Sequence, residues 1–63
     1  MKGKEVKAFR RKLRLSQKEL ADKLGISQSN ISIWENTRRD LRLMFPHHNN
    51  VLERFFYEEA GIK

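Results

Sequence analysis

The chemistry open to this chain is decided by a few polar side chains. His47 and His48 are its only histidines, and it has no cysteine. Two adjacent imidazoles diverge on either a helix or a strand, so they cannot close on one metal ion or share one proton-transfer task. Carboxylates such as Glu5, Asp40 and Glu53 are isolated in sequence, without the spacing of a metal site or of a nucleophile with its base. No catalysis, cofactor, metal or small-molecule substrate is therefore expected. A different chemistry lies with Gln28, Ser29, Ser32, Ile33 and Asn36, whose offsets place them on one side of a helix. The Gln28 amide can pair with N6 and N7 of an adenine, and a serine hydroxyl suits several bases. Exposed isoleucine on such a face carries a cost that contact with a thymine methyl group relieves, which assigns Ile33 to the same task. The competing place for Ile33 is a core position shared with residues 37–49.

The elements around this face follow from local signals. Lys4 to Leu13 is expected to be helical, because Val6, Phe9 and Leu13 recur at i, i+3 and i+7 with Lys7, Arg11 and Lys12 outside the stripe. The basic run from Arg10 to Arg14 suits the negative end of that helix. Ser16 then opens a second helix: it can cap while Glu19 reaches back, and Leu15 with Leu20 forms the matching hydrophobic staple. Leu20, Ala21 and Leu24 are its buried side, and Gly25 supplies the left-handed turn that ends it. A third helix starts two residues later, with Ser27 as cap and Ile26 and Ile31 repeating the staple spacing. Ile31 and Trp34 make its core face. Two capped helices joined by so short a glycine turn must cross steeply, which is a helix-turn-helix.

Residues 37–49 read two ways. Leu41, Met44 and Phe45 suit one helical turn capped by Asp40, while Leu41, Leu43 and Phe45 suit a short strand by alternation. Pro46 drives Phe45 out of the helical region, so any helix there ends by Met44. A last helix follows, with Val51, Leu52, Phe55, Phe56 and Ala60 as its apolar face, Asn49 or Asn50 as N-cap and Gly61 as the terminal glycine. The fold class is thus an all-α bundle of four or five short helices containing a helix-turn-helix, with residues 40–45 open between a helical turn and a strand. Sixty-three residues suffice for one small domain, residues 1–63. Such a chain buries only about 60% of its unfolded surface, so a second copy of itself is an expected support.

Fourteen lysines and arginines against eight acids give a net charge of +6. That excess points to an anionic partner, nucleic acid or an acidic membrane surface, with a merely basic solvated surface as the plain alternative. No apolar run approaches the ~18 residues that span a membrane. Met1-Lys2 is followed by no apolar segment of the kind a signal peptide needs, so a cytoplasmic protein is expected. The first helix has too thin an apolar stripe, and no tryptophan, to lie on a bilayer. Lys7, Arg11, Lys12 and Arg14 are best taken as a solvated basic face.

The stretch from Gln17 to Asn36, QKELADKLGISQSNISIWEN, resembles the helix-turn-helix of the lambda-repressor-like, XRE/Cro-type DNA-binding family. The resemblance rests on the small Ala21, the turn glycine Gly25 and the apolar Leu20, Leu24, Ile26, Ile31 and Trp34, with LRLSQKELADKLGIS and the closing WEN as flanks. It covers residues 4–38 closely and 50–62 loosely. It implies a prokaryotic or phage regulator acting at the nucleoid, commonly a repressor, which sets helix 27–36 in the major groove of a double-stranded DNA operator. It implies a homodimer on paired half-sites. It also implies base contacts from Gln28, Ser29, Ser32 and Ile33, and a phosphate contact from Gln17, which would steady Gln28. Asn36, Arg38 and Arg39 are the further phosphate candidates. An ion pair between Arg10 and Glu35 would tie the first helix to the third. The family usually has glycine where this chain has Thr37, and a shorter link to the next helix. The alternative from another class is a protein-interaction module on the same fold, an antitoxin or adaptor, to which Leu43, Phe45, Phe56 and Tyr57 would contribute. RNA is the weaker partner, because the aromatics form no exposed stacking platform.

Overall fold

The chain begins with α1 (Gly3–Lys12) and α2 (Gln17–Leu24), joined by a three-residue turn after the cap at Leu13. The computed structural model describes residues 1–61 apart from the side chain of Ala60, so the expected place of that side chain in the apolar face lies outside the described residues. Two turns of one kind bring the first three helices together. At the end of α1 the Leu15 N–H reaches the Arg10 carbonyl at 3.1 Å, and the Arg14 N–H reaches that of Arg11 at 3.0 Å. At the end of α2 the Ile26 N–H reaches Ala21 at 3.0 Å, and that of Gly25 reaches Asp22 at 3.3 Å. Both are Schellman motifs, which need one left-handed residue. Gly25 takes it at φ +70° without a Cβ to clash, whereas at the first turn Arg14 is forced into it at φ +58°.

The start of α2 is a closed capping box. Ser16 Oγ accepts from the Glu19 N–H at 3.0 Å, and a Glu19 carboxylate oxygen accepts from the Ser16 N–H at 3.0 Å. The bond from the Ser16 N–H first, and then the Ser16 hydroxyl, hold the Glu19 carboxyl below its ordinary pKa. Ser27 caps α3 (Gln28–Asn36) through Oγ, which accepts from the Asn30 N–H. Helix α3 packs against both α1 and α2, and α4 (Leu41–Met44) packs against α5 (Pro46–Ala60).

Residues 41–44 are helical, so the strand over residues 40–45 is not formed. Asp40 caps the turn by accepting from the Arg42 N–H at 2.9 Å, and the Phe45 N–H returns to the Leu41 carbonyl at 2.7 Å. Extended backbone has only a single bridge there, between Lys2 and Asp40, and no strand beyond it to pair with. Leu41 is fully buried while Leu43 is turned into solvent at 79% exposure, the opposite of what alternation requires.

The start of α5 is also corrected. Neither Asn49 nor Asn50 is its cap, because the helix begins at Pro46, where a missing N–H costs nothing and the ring presets φ. Asn49 is instead an interior residue with no exposure, and its Oδ1 accepts from the Met1 ammonium at 2.8 Å. That ammonium also donates to Asp40 Oδ1 at 3.0 Å and lies 3.7 Å from a Glu53 oxygen. Asp40 and α5 thus hold the segment leading into α1. Val51 is turned outward, at 38% exposure, while Leu52 and Phe56 enter the core. Phe56 is accordingly core and not surplus apolar surface, and the Phe9 ring stacks on it at 5.1 Å between centroids. Val6, Leu20, Ile31, Leu41, Leu52 and Phe56 have no exposed surface, and full burial of such side chains is worth ~1.5–3 kcal/mol each.

Candidate nucleic-acid interface

Helix α3 is held on one side only. Ile31 and Trp34 are buried against α1, α2 and the rest of the core, and the indole of Trp34 lies 4.9 Å from the His48 ring between centroids. The residues one and two places along the turn are left outside. Gln28, Ser29, Ile33 and Asn36 are exposed and Ser32 is half-buried, so the sequence-predicted face is one continuous strip along the helix. Ile33 is 53% exposed, so it does not take the core place shared with residues 37–49.

The end of α3 carries no basic side chain in its last turn, and two polar residues satisfy its carbonyls instead. Asn36 Nδ2 donates to the Ser32 carbonyl at 2.8 Å, and Thr37 Oγ1 donates to that of Ile33 at 2.7 Å. Thr37 itself is extended, with φ −77° and ψ 125°, where a glycine could have turned left-handed. The chain therefore leaves the helix straight, with Arg38 and Arg39 both exposed beyond its end.

Behind the strip lies a charged knot. Arg10 Nε donates to Glu35 Oε2 at 2.6 Å and Arg10 Nη2 to Glu35 Oε1 at 3.1 Å. The side chain of Glu35 is 4% exposed and that of Arg10 12%, so the pair is largely out of water. The hydrogen bond to the Glu35 carboxylate raises the pKa of the guanidinium above its ordinary value, against the opposing effect of burial. Arg10 also closes the first turn, donating from Nη1 to the Leu15 carbonyl at 2.8 Å. Gln17, the first residue of α2, donates from Nε2 to Glu35 Oε1 at 3.3 Å, so its steadying contact is with Glu35 and not Gln28. The Gln17 amide retains a second N–H that a phosphate oxygen could accept.

The two histidine rings lie 6.0 Å apart between centroids, in different surroundings. His48 lies between Trp34 and Phe45, while His47 is exposed. Among the described residues no group of three His, Asp or Glu side chains could hold a metal ion. No described helix is long and apolar enough to cross a membrane.

A family model described as helix-turn-helix matches residues 6–44. The chain belongs to the lambda-repressor-like helix-turn-helix family. The match runs through α1, both helices of the motif and α4, and it stops before α5. No curated protein and no solved structure matches the chain. Membership makes this helix-turn-helix protein a DNA-binding regulator, with α2 and α3 as the motif and DNA as its partner class.

Two features of the structure are not legible in the sequence. Lys2 and Lys4 line a groove together with Asn36, Thr37 and Arg38 at the end of α3. Asn49 was assigned to a cap, although it is the buried acceptor for the ammonium at Met1. The only local trace of the first is the Lys-Gly-Lys run, whose glycine has no visible purpose until α1 and α3 are seen together.

Proposed function

We propose that this protein is a sequence-specific regulator of transcription, a repressor, that sets α3 in the major groove of a double-stranded DNA operator. One observation carries the reading: α3 is fixed by the fully buried Ile31 and Trp34 while its polar strip is left open. A helix held on one side needs no reordering to present its side chains to base edges. Gln28, Ser29, Ser32 and Ile33 are assigned to base edges, and Gln17, Asn36, Arg38 and Arg39 to phosphates. Arg10 and Glu35 have a structural role behind them. The net charge of +6 supports the same partner. Residues 1–63 act as one DNA-binding domain in the cytoplasm, and two copies occupy paired half-sites. Occupancy of the operator would block access to the promoter, so repression is the mode proposed.

A second reading, a protein-interaction module on the same fold, is favoured by the exposure of Leu43 at 79% and Met44 at 49%. A homodimer contact would use the same side chains. Binding of duplex DNA as a function of salt separates the two. A DNA reader loses affinity with a log–log slope of about −0.9 per phosphate contacted, and selection from a random duplex pool returns one motif. Binding that is flat with salt and selects nothing would discard the DNA reading. Footprints with half-sites about 10 to 10.5 base pairs apart identify the dimer, and a single unpaired footprint removes it.

A further inference from the structure

Gly3 lets the first turn of α1 come closer to the end of α3 than any side chain would permit. A Cβ at that position would collide with the Trp34 carbonyl oxygen and stand 2.6 Å from that of Thr37. Lys2 and Lys4, on either side of it, are thereby held beside the last turn of the recognition helix. With Glu35, Asn36, Thr37 and Arg38 they line a groove of about 340 Å³. Its one carboxylate is already committed, since Glu35 is bound by Arg10 and Gln17. Glu5, the nearest acid in sequence, accepts from the Lys2 backbone N–H at 2.9 Å. Among the described residues none of Lys2, Lys4 and Arg38 has a carboxylate within ion-pair distance. Three cations from two separate elements, none with a carboxylate in ion-pair distance, thus face one concavity, where a seated anion would attract all three.

We propose that this groove seats a phosphodiester of the DNA backbone, gripped by Lys2 and Lys4 at the start of α1 together with Arg38. The inference rests on the reading of α3 as a major-groove helix, because the groove opens at the end of the exposed strip, against Asn36. Lysine ammoniums are point charges, so the contact places the strand and does not select a base. It would fix α3 at its C-terminal end, as Gln17 does from the start of α2. The packing of Gly3 fixes the backbone of both lysines beside the end of α3.

The test is the double variant Lys2→Gln/Lys4→Gln of the full chain, compared with Lys12→Gln/Lys23→Gln, which loses the same charge elsewhere. Affinity for duplex is measured against salt for all three proteins. The first variant should bind with a log–log slope shallower by up to about 0.9, the one phosphate of the groove, and lose the same factor on specific and unrelated duplexes. Its melting temperature should be unchanged, since both side chains are exposed and unpaired. A slope equal to that of the wild type overturns the proposal while leaving the reading of α3 intact. An equal fall in the control also overturns it, because net charge would then explain the effect. Displacement of duplex by inorganic phosphate at constant ionic strength, in the wild type but not in Lys2→Gln/Lys4→Gln, would give the groove to a free anion and overturn the DNA assignment. A wild type that binds no duplex ends both readings.

Discussion

Arg10 and Glu35 join α1 to α3 through a two-point fork, Nε to Oε2 at 2.6 Å and Nη2 to Oε1 at 3.1 Å. Every other polar group of the fork is also used, because Arg10 Nη1 binds the Leu15 carbonyl and Gln17 binds Glu35. The pair therefore sits where the turn into α2, the first residue of α2 and the end of α3 meet. Its place behind the exposed strip of α3 supports the structural role proposed for it.

Removing one side of that fork should be costly. Glu35→Ala leaves the Arg10 guanidinium largely buried with only the Leu15 carbonyl, and one-sided loss of this kind costs about 3 kcal/mol. For a chain of this size that is roughly 12–24 °C in Tm. The double variant Arg10→Met/Glu35→Leu should recover part of the loss, since no charge is then stranded. Thermal melts of the three proteins check this, and a Tm unchanged in Glu35→Ala would remove the scaffold role.

Asp40 predicts an acid-sensitive contribution to stability. Its carboxyl is held well below the usual range by the Arg42 side chain first, then the Arg42 backbone N–H, and then the Met1 ammonium. A folded-state pKa below the unfolded value of about 3.9 means stability that is present above that value and lost as pH falls through the folded one. Asp40→Asn should accordingly be less stable than the wild type at neutral pH. The gap should close as pH falls below about 4. Denaturant midpoints across the acid range measure it, and a gap that stays constant with pH would show that charge is not its source.

The two Schellman turns make a paired prediction about backbone conformation. Arg14 and Gly25 hold equivalent left-handed places, at φ +58° and +70°. Gly25→Ala meets no atom within 4 Å, so its cost is conformational alone, about 1 kcal/mol. Arg14→Gly relieves the same strain and should gain about 0.5–1 kcal/mol, part of it offset by the freer unfolded chain. Opposite changes in Tm are the expected result. Like signs would mean that side-chain contacts of Arg14, and not its φ, govern that turn.

These turns also show what can be read from sequence and what cannot. The motif from Ser16 to Trp34 is legible because each of its signals is local: the capping box, the turn glycine and the apolar pairs lie within a few residues of one another. The period that put Gln28, Ser29, Ile33 and Asn36 outside is local too. Residues 40–45 were undecided because helix and strand patterns tied, and the contact that accompanies the helical outcome is the bond from the Leu41 N–H to the distant Met1 carbonyl at 2.9 Å. Asn49 was misassigned for the same reason. Its partner is 48 residues away, and Pro46 had already opened the helix. The close approach at Gly3 leaves only the Lys-Gly-Lys run as a local trace, so the groove beside it, with Lys2 and Lys4, is visible only in the structure.

The reader strip can be tested base by base. Gln28→Ala should lose discrimination at one base pair, by about 1–3 kcal/mol, while keeping its affinity for unrelated duplex. An equal loss on every sequence would take Gln28 out of the readout. Ile33 allows a sharper test, because its assigned partner is a single methyl group. Replacing the contacted thymine by uracil removes that methyl and nothing else from the base edge. The wild type should then bind the substituted site more weakly, while Ile33→Ala should bind both sites alike. Since Ile33 is 53% exposed, the variant should melt near the wild-type temperature, so that lost folding does not explain lost binding. If wild type and variant respond to uracil by the same factor at every thymine of the site, Ile33 reads no methyl group, and its exposure belongs to the surface it shares with Leu43 and Met44.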